Sequence, residues 1–176
     1  MESHANPKPA PLVVVMGVTG SGKTTVGRRV AAELGVSFVD ADEFHSPVDV
    51  EAMRRGVALD NARRLPWLDR LHTQLVDLSS VGAVMACSAL RTSYRRTLRG
   101  GLDRLRFVAL VAPPGVLRER LAARRDHFAG PSLLDSQLAT LELGGDVIVV
   151  DADASVDEVV ARALGVVDQF ECDASS

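Results

Sequence analysis

Gly17-Val18-Thr19-Gly20-Ser21-Gly22-Lys23-Thr24 is the segment whose residue types and spacing do the most chemistry, because it carries the glycine, lysine and hydroxyl pattern of a phosphate-binding loop. The glycines let the backbone close round a phosphate chain with its N–H groups pointing inward. A helix opening at Lys23 adds the partial positive charge of its N-terminus. Gly17, Thr19, Gly20, Ser21, Gly22, Lys23, Thr24 and Thr25 are therefore candidate ATP contacts. Lys23 would reach the β- and γ-phosphates, and Thr24 would offer its hydroxyl to a Mg²⁺ ion bridging two of them. The plain alternative is a Gly-rich turn that only joins two elements. Against it stand the flanks, an apolar run over 12–16 before the loop and a helix-period segment over 23–34 after it.

Motors, switches and kinases share such a loop, so the rest of the chain has to discriminate among them. A small-molecule kinase must hold a hydroxyl in line with the γ-phosphate, and carboxylates just past the second strand are well placed for that. Asp40 and Asp42 lie there. Asp40 is the candidate for the hydrated Mg²⁺, and Asp42 for orienting the acceptor hydroxyl and taking its proton; an ordinary strand-ending Asx turn is the competing use. A GTP switch would want an Asn-Lys-x-Asp sequence, which the chain lacks.

The elements that must position these residues follow from periodicity. Short apolar runs over 12–16, 37–40, 81–87, 106–111 and 146–150 read as strands, and helical periods over 23–34, 66–78, 92–98, 114–124 and 155–164 alternate with them. Val- and Ile-rich strands without in-out alternation are buried on both faces, which makes the fold class α/β with three layers and a parallel sheet. With 176 residues the chain suits one domain. Residues 1–11, with three prolines, read as a flexible arm, 12–165 as the domain and 166–176 as a frayed tail. A net charge of -3 argues against nucleic acid as a partner. No apolar stretch reaches membrane-spanning length and no signal-peptide pattern opens the chain; the two cysteines, Cys87 and Cys172, suggest no disulfide framework. The expected compartment is the cytoplasm.

Beyond the loop, Asp40-Ala41-Asp42 with His45, Pro66-Trp67-Leu68, Cys87-Ser88-Ala89-Leu90 with Tyr94 and Arg95, His127-Phe128, and Leu133-Leu134 with Ser136-Gln137 recur in an order and spacing that resemble the P-loop gluconokinases. The resemblance covers about 12–153. It implies a fold related to shikimate and nucleoside monophosphate kinases, with a five-stranded parallel sheet in the order 2-3-1-4-5, a helical substrate insert at about 43–68 and a lid at about 120–137. It also implies transfer of the ATP γ-phosphate to the 6-hydroxyl of D-gluconate, a product feeding pentose phosphate or Entner-Doudoroff metabolism, and a possible homodimer.

Carried over by position, the resemblance sets the acceptor pocket between the insert and the Cys87-Ser88-Ala89-Leu90 loop. A carboxylate with a row of hydroxyls asks for cations or donors at one end and acceptors along its length. Asp42, His45, Arg54, Ser88, Arg91, His127 and Gln137 are the candidates, although Ser88 could instead cap the next helix and His45, Arg54 and Gln137 could be solvated. Trp67 reads as packing at a helix start. Arg120 and Arg124, four apart on one helical face, are candidate catalytic lid cations for the triphosphate, with an ordinary ion pair to Glu119 as the alternative. The chain departs from the family pattern at Asp49, Ala52, Ala58, Asn61 and Arg63 in the insert and at Asp126 in the lid, which implies a reshaped acceptor pocket. Other uses of the same machinery are phosphorylation of another sugar acid or polyol, or nucleotide binding by a regulatory homologue with a decayed acceptor site.

Overall fold

A computed structural model of the protein describes residues 10–55, 59–123 and 131–173, without the side chains of Arg54, Pro131 and residues 170–173. Five strands, β1 (Leu12–Met16), β2 (Ser37–Asp40), β3 (Ala83–Ala86), β4 (Arg106–Val111) and β5 (Val147–Asp151), form one parallel sheet in the order β2-β3-β1-β4-β5. The expected fold class and strand order are the observed ones. β1 sits at the centre, so both its faces are covered. Leu12, Val14 and Met16 face one core, Val13 and Val15 the other, and none is more than 3% exposed. At roughly 1.5–3 kcal/mol for each large apolar side chain taken from water, this strand anchors the phosphate loop that follows it.

Helices α1 (Lys23–Leu34) and α7 (Val156–Asp173) contribute to the core that holds Val13 and Val15. Helices α3 (Asn61–Leu78) and α4 (Thr92–Arg99) contribute to the one that holds Leu12, Val14 and Met16. Between β2 and α3 lie a short 3-10 helix, Ala41–Phe44, and α2 (Pro47–Arg54); between β4 and β5 lie α5 (Pro114–Ala122) and α6 (Pro131–Thr140). No helix among the described residues is long and apolar enough to cross a membrane.

Three expectations need correction. The helix expected from Pro66 begins at Asn61, where Asp60 caps it by accepting from the Arg63 N–H at 2.9 Å. Pro66 lies inside it and forgoes a bond to the Ala62 carbonyl, a loss offset by burial of Trp67, Leu68, Leu71 and Leu75. The tail expected to fray after Gly165 is helical to Asp173. Val159, Val160, Ala163 and Val167 recur on one buried stripe, and that packing carries the helix through the glycine. Finally, the Arg106 and Leu12 strands stand as expected, but β3 is shorter than the 81–87 run, with Gly82 at φ +82° preceding it and Cys87 already in the next loop.

Candidate active site

The phosphate loop is shaped by close approach. Gly17 has φ +146°, and a Cβ there would fall 2.7 Å from the Leu110 carbonyl oxygen of β4, so no other residue fits. Gly22, at φ +93°, caps α1 in the left-handed region and turns the chain into the helix. Lys23 Nζ donates to the Val18 carbonyl at 2.9 Å, spanning the loop, and Ser21 Oγ is buried with no hydrogen-bond partner among the described residues. Thr24 and Thr25 are exposed on the first turn of α1.

The end of β2 lies beside this turn. Thr24 Oγ1 donates to Asp40 Oδ2 at 3.3 Å, while Asp40 Oδ1 accepts from the Asp42 N–H at 3.2 Å. Asp40 thus both makes the Asx turn and presents an oxygen to the phosphate loop. Of the two uses weighed from the sequence, the Asx turn is the one seen here. Asp42 is directed outward, its side chain 91% exposed, and its Oδ1 lies 3.9 Å from His45 Nε2.

His45 is held by Trp67, whose indole ring stacks on the imidazole with centroids 4.4 Å apart and planes 8° from parallel. Trp67 Nε1 in turn donates to the Ala41 carbonyl at 2.9 Å. Trp67 is therefore core, as expected, and also the platform that orients His45. Burial holds the His45 pKa below its ordinary 6.5; Arg70 and Arg64 push the same way against Asp42 and Asp49. The imidazole is neutral at pH 7, and its buried Nδ1 has no partner among the described residues.

Across from the insert, the Cys87-Ser88-Ala89-Leu90 loop leaves β3. Its Ser88 carbonyl accepts from the Gly17 N–H at 3.4 Å, so this loop touches the phosphate loop directly. Ser88 does not cap α4: the Thr92 N–H goes to Glu142 Oε2 at 2.7 Å, and the cap residue is Arg91. Burial pushes the Cys87 thiol up to about 12, which makes it a packing residue and not a nucleophile. At the far end of the loop, the guanidinium carbons of Arg64 and Arg91 lie 5.7 and 6.0 Å from the Tyr94 ring centroid. Arg64 also donates to the Tyr94 hydroxyl at 3.1 Å, which donates to Asn61 Oδ1 at 2.8 Å. Arg64 was missed from sequence, although its place four residues after the Asp60 cap sets it one turn into α3 facing Tyr94.

The departures in the insert are partnered with one another and with neighbours. Asp49 accepts from Ser46 Oγ at 2.6 Å and lies 3.9 Å from Arg63, and Asn61 is the partner of Tyr94. Two candidates make contacts other than those expected. Gln137, three residues after the buried Leu134 on α6, is carried over the phosphate loop, where its Oε1 accepts from the Thr19 N–H at 2.6 Å. Arg120 donates to the carbonyls of Ala152 and Ala154 at 2.8 and 3.4 Å, in the turn after β5, so in this arrangement it is no phosphate ligand. It makes no ion pair with Glu119 among the described contacts. Arg124, Asp126, His127 and Ala58 lie outside the described residues, as does the Arg54 side chain.

Residues 12–143 match a family model described as an AAA domain. A gluconokinase from Gluconobacter oxydans is 44% identical over 157 residues, covering 86% of this chain and 88% of its own. The thermoresistant gluconokinase of Escherichia coli K12 is 37% identical over 162 residues, covering 89% and 93%. The crystal structure of a gluconokinase from Sinorhizobium meliloti 1021 superposes with a TM-score of 0.87 at 35% identity, covering 94% of this chain and 96% of that one.

Proposed function

The chain belongs to the gluconokinase family, and from that premise we propose that it transfers the γ-phosphate of ATP to the 6-hydroxyl of D-gluconate, giving 6-phospho-D-gluconate. The observation that carries the acceptor side of this reading is the loop from Ser88 to Arg91, which touches the phosphate loop at one end and at the other reaches the Tyr94 ring, against which Arg91 and, from α3, Arg64 both lie. Those three steps along the chain span at most about 10 Å, the scale of an extended six-carbon acid. An acceptor laid along the loop would set its carboxylate toward the Arg91 guanidinium and its distal hydroxyl against the γ-phosphate.

Lys23 then neutralises charge that grows on the β–γ bridge, and the inward N–H groups of the loop hold the phosphates. Asp42 takes the proton of the attacking hydroxyl, and His45, whose Nε2 lies 3.9 Å away with a pKa lowered by burial, leaves the Asp42 charge uncancelled. The donors Thr24 Oγ1 and Asp40 Oδ2, 3.3 Å apart, are hard oxygens of the kind Mg²⁺ takes alongside phosphates and water. The described residues contain no group of three or more His, Cys, Asp or Glu able to hold a metal, so protein ligands to Mg²⁺ would be few. When bound, the ion would offset phosphate charge. We place the enzyme in the cytoplasm, where its ATP is supplied.

Product identification tests this. After incubation with MgATP and D-gluconate, phosphorus–proton correlation spectra should show one ester, on carbon 6. An ester on another carbon, or only ADP and inorganic phosphate, would contradict the proposed acceptor geometry.

A further inference from the structure

Arg95 is the most deeply buried charge among the described residues, with its side chain 0% exposed. Its Nε and Nη2 grip Asp146 at 2.7 and 3.0 Å in a forked pair. Nη2 also donates to Thr92 Oγ1 at 3.1 Å, and Nη1 donates to the carbonyls of Ala89 and Leu90 at 3.0 and 3.4 Å. Ala89 is the only non-glycine at positive φ among the described residues, at +41°. For an alanine that conformation is strained and persists only where surrounding contacts over-determine it.

We propose that Arg95 and Asp146 are positioning residues for the acceptor: together they lock Ala89 in its left-handed conformation and so fix the Ser88 to Arg91 wall against the phosphate loop. The assignment rests on the reading of that loop as the acceptor wall. Two further ties secure it to the same 141–146 segment. The Glu142 N–H donates to the Leu90 carbonyl at 2.8 Å, and the Glu142 carboxylate accepts from the Thr92 N–H. The wall is thus referenced to the start of β5, beside β4 and one strand removed from β1, so it moves with the sheet that carries the phosphate loop. A purely structural pair would need only to neutralise Arg95. Here two of the guanidinium donors go to carbonyls of the strained turn itself.

The experiment pairs a break of the clamp with a relief of the strain. Asp146→Asn should raise KM for gluconate by about tenfold while the ATP dissociation constant stays within about twofold and kcat falls less than KM rises. Gly144→Ala should act in the same direction from outside the cleft, because a Cβ there would fall 2.9 Å from Asp146 Oδ1 and displace the carboxylate. Adding Ala89→Gly to Asp146→Asn should recover at least about threefold of the lost affinity, since glycine holds positive φ without the clamp. Arg95→Lys should resemble Asp146→Asn, and if it does not fold the two variants at 144 and 146 still decide the matter. An unchanged KM for gluconate in Asp146→Asn, or no recovery on adding Ala89→Gly, would overturn the proposal. If the wild-type protein does not use gluconate, the reading of the acceptor fails separately: the clamp is then judged by the same recovery in thermal denaturation and in KM for whichever acid the enzyme does phosphorylate.

Discussion

At the phosphate end of the cleft, Gly17, Gly20 and Gly22 turn the backbone through positive φ, and Lys23 spans the loop to the Val18 carbonyl. At the acceptor end the surfaces are side chains held by other side chains: His45 on Trp67, Tyr94 between Arg64 and Asn61, Ala89 under Arg95. A backbone cradle recognises what all nucleotides share and tolerates almost no substitution. A cradle of side chains can be retuned one residue at a time, as at Asp49 with Arg63 and at Asn61 with Tyr94. Phosphate chemistry and acceptor choice are therefore separable in this molecule, and variants should divide accordingly.

The largest effect belongs to the shared end. Lys23→Ala should lower turnover by at least about a hundredfold, or roughly 3 kcal/mol of transition-state stabilisation, with thermal stability unchanged. Steady-state kinetics and a melting curve check it, and retention of more than about a tenth of wild-type turnover would remove the loop from the mechanism.

The next pair sits on the boundary between the two ends. Asp42→Asn keeps shape and loses charge, so turnover should fall steeply with nucleotide affinity nearly normal. Asp40→Asn should lose activity that added Mg²⁺ partly restores, because its oxygen lies 3.3 Å from Thr24 Oγ1. Rescue of Asp42→Asn by Mg²⁺, or its unchanged turnover, would show the two roles exchanged.

The smallest effect is a pH dependence at the acceptor end. The His45 pKa lies below 6.5 in the folded protein, so the unfolded chain takes the proton first. The stability contributed by the neutral buried imidazole is complete above 6.5 and is lost as pH falls through the window below it. Gluconate KM should rise over that window while ATP affinity does not, and His45→Gln should flatten the rise; kinetics at several pH values read both. An acid limb shared equally by ATP and gluconate would erase the distinction between the two ends.

What could be read in the sequence divides along the same line. The phosphate loop, β1 and α1 were legible, because a central strand buried on both faces and a glycine pattern are local signals, whereas the strand order came only with the family resemblance. The Ser46-Pro47 pair carried a cap signal for α2, with Ser46 Oγ accepting from the Asp49 N–H at 3.1 Å, yet short helices packed on a cleft show little periodicity. Pro66 reads as a boundary because proline usually ends or starts a helix, and the tertiary burial of Trp67 and Leu68 overrides that rule. Arg64, Arg95 and Asp146 were not assigned roles because their significance lies in partners 30 and 51 residues away. The bond from Thr19 to Gln137 is hidden for the same reason: the chain spacing does not say that α6 carries Gln137 over the phosphate loop.

Acceptor choice measured directly is the decisive observation for an enzyme whose generic end binds ATP and whose specific end selects a sugar acid. In a coupled ADP-release assay with saturating MgATP, kcat/KM for D-gluconate should exceed that for shikimate, glycerate and nucleoside monophosphates. Equal or better turnover of any of these competitors would contradict the assignment of the Ser88 to Arg91 wall to gluconate and leave only the phosphate end as described.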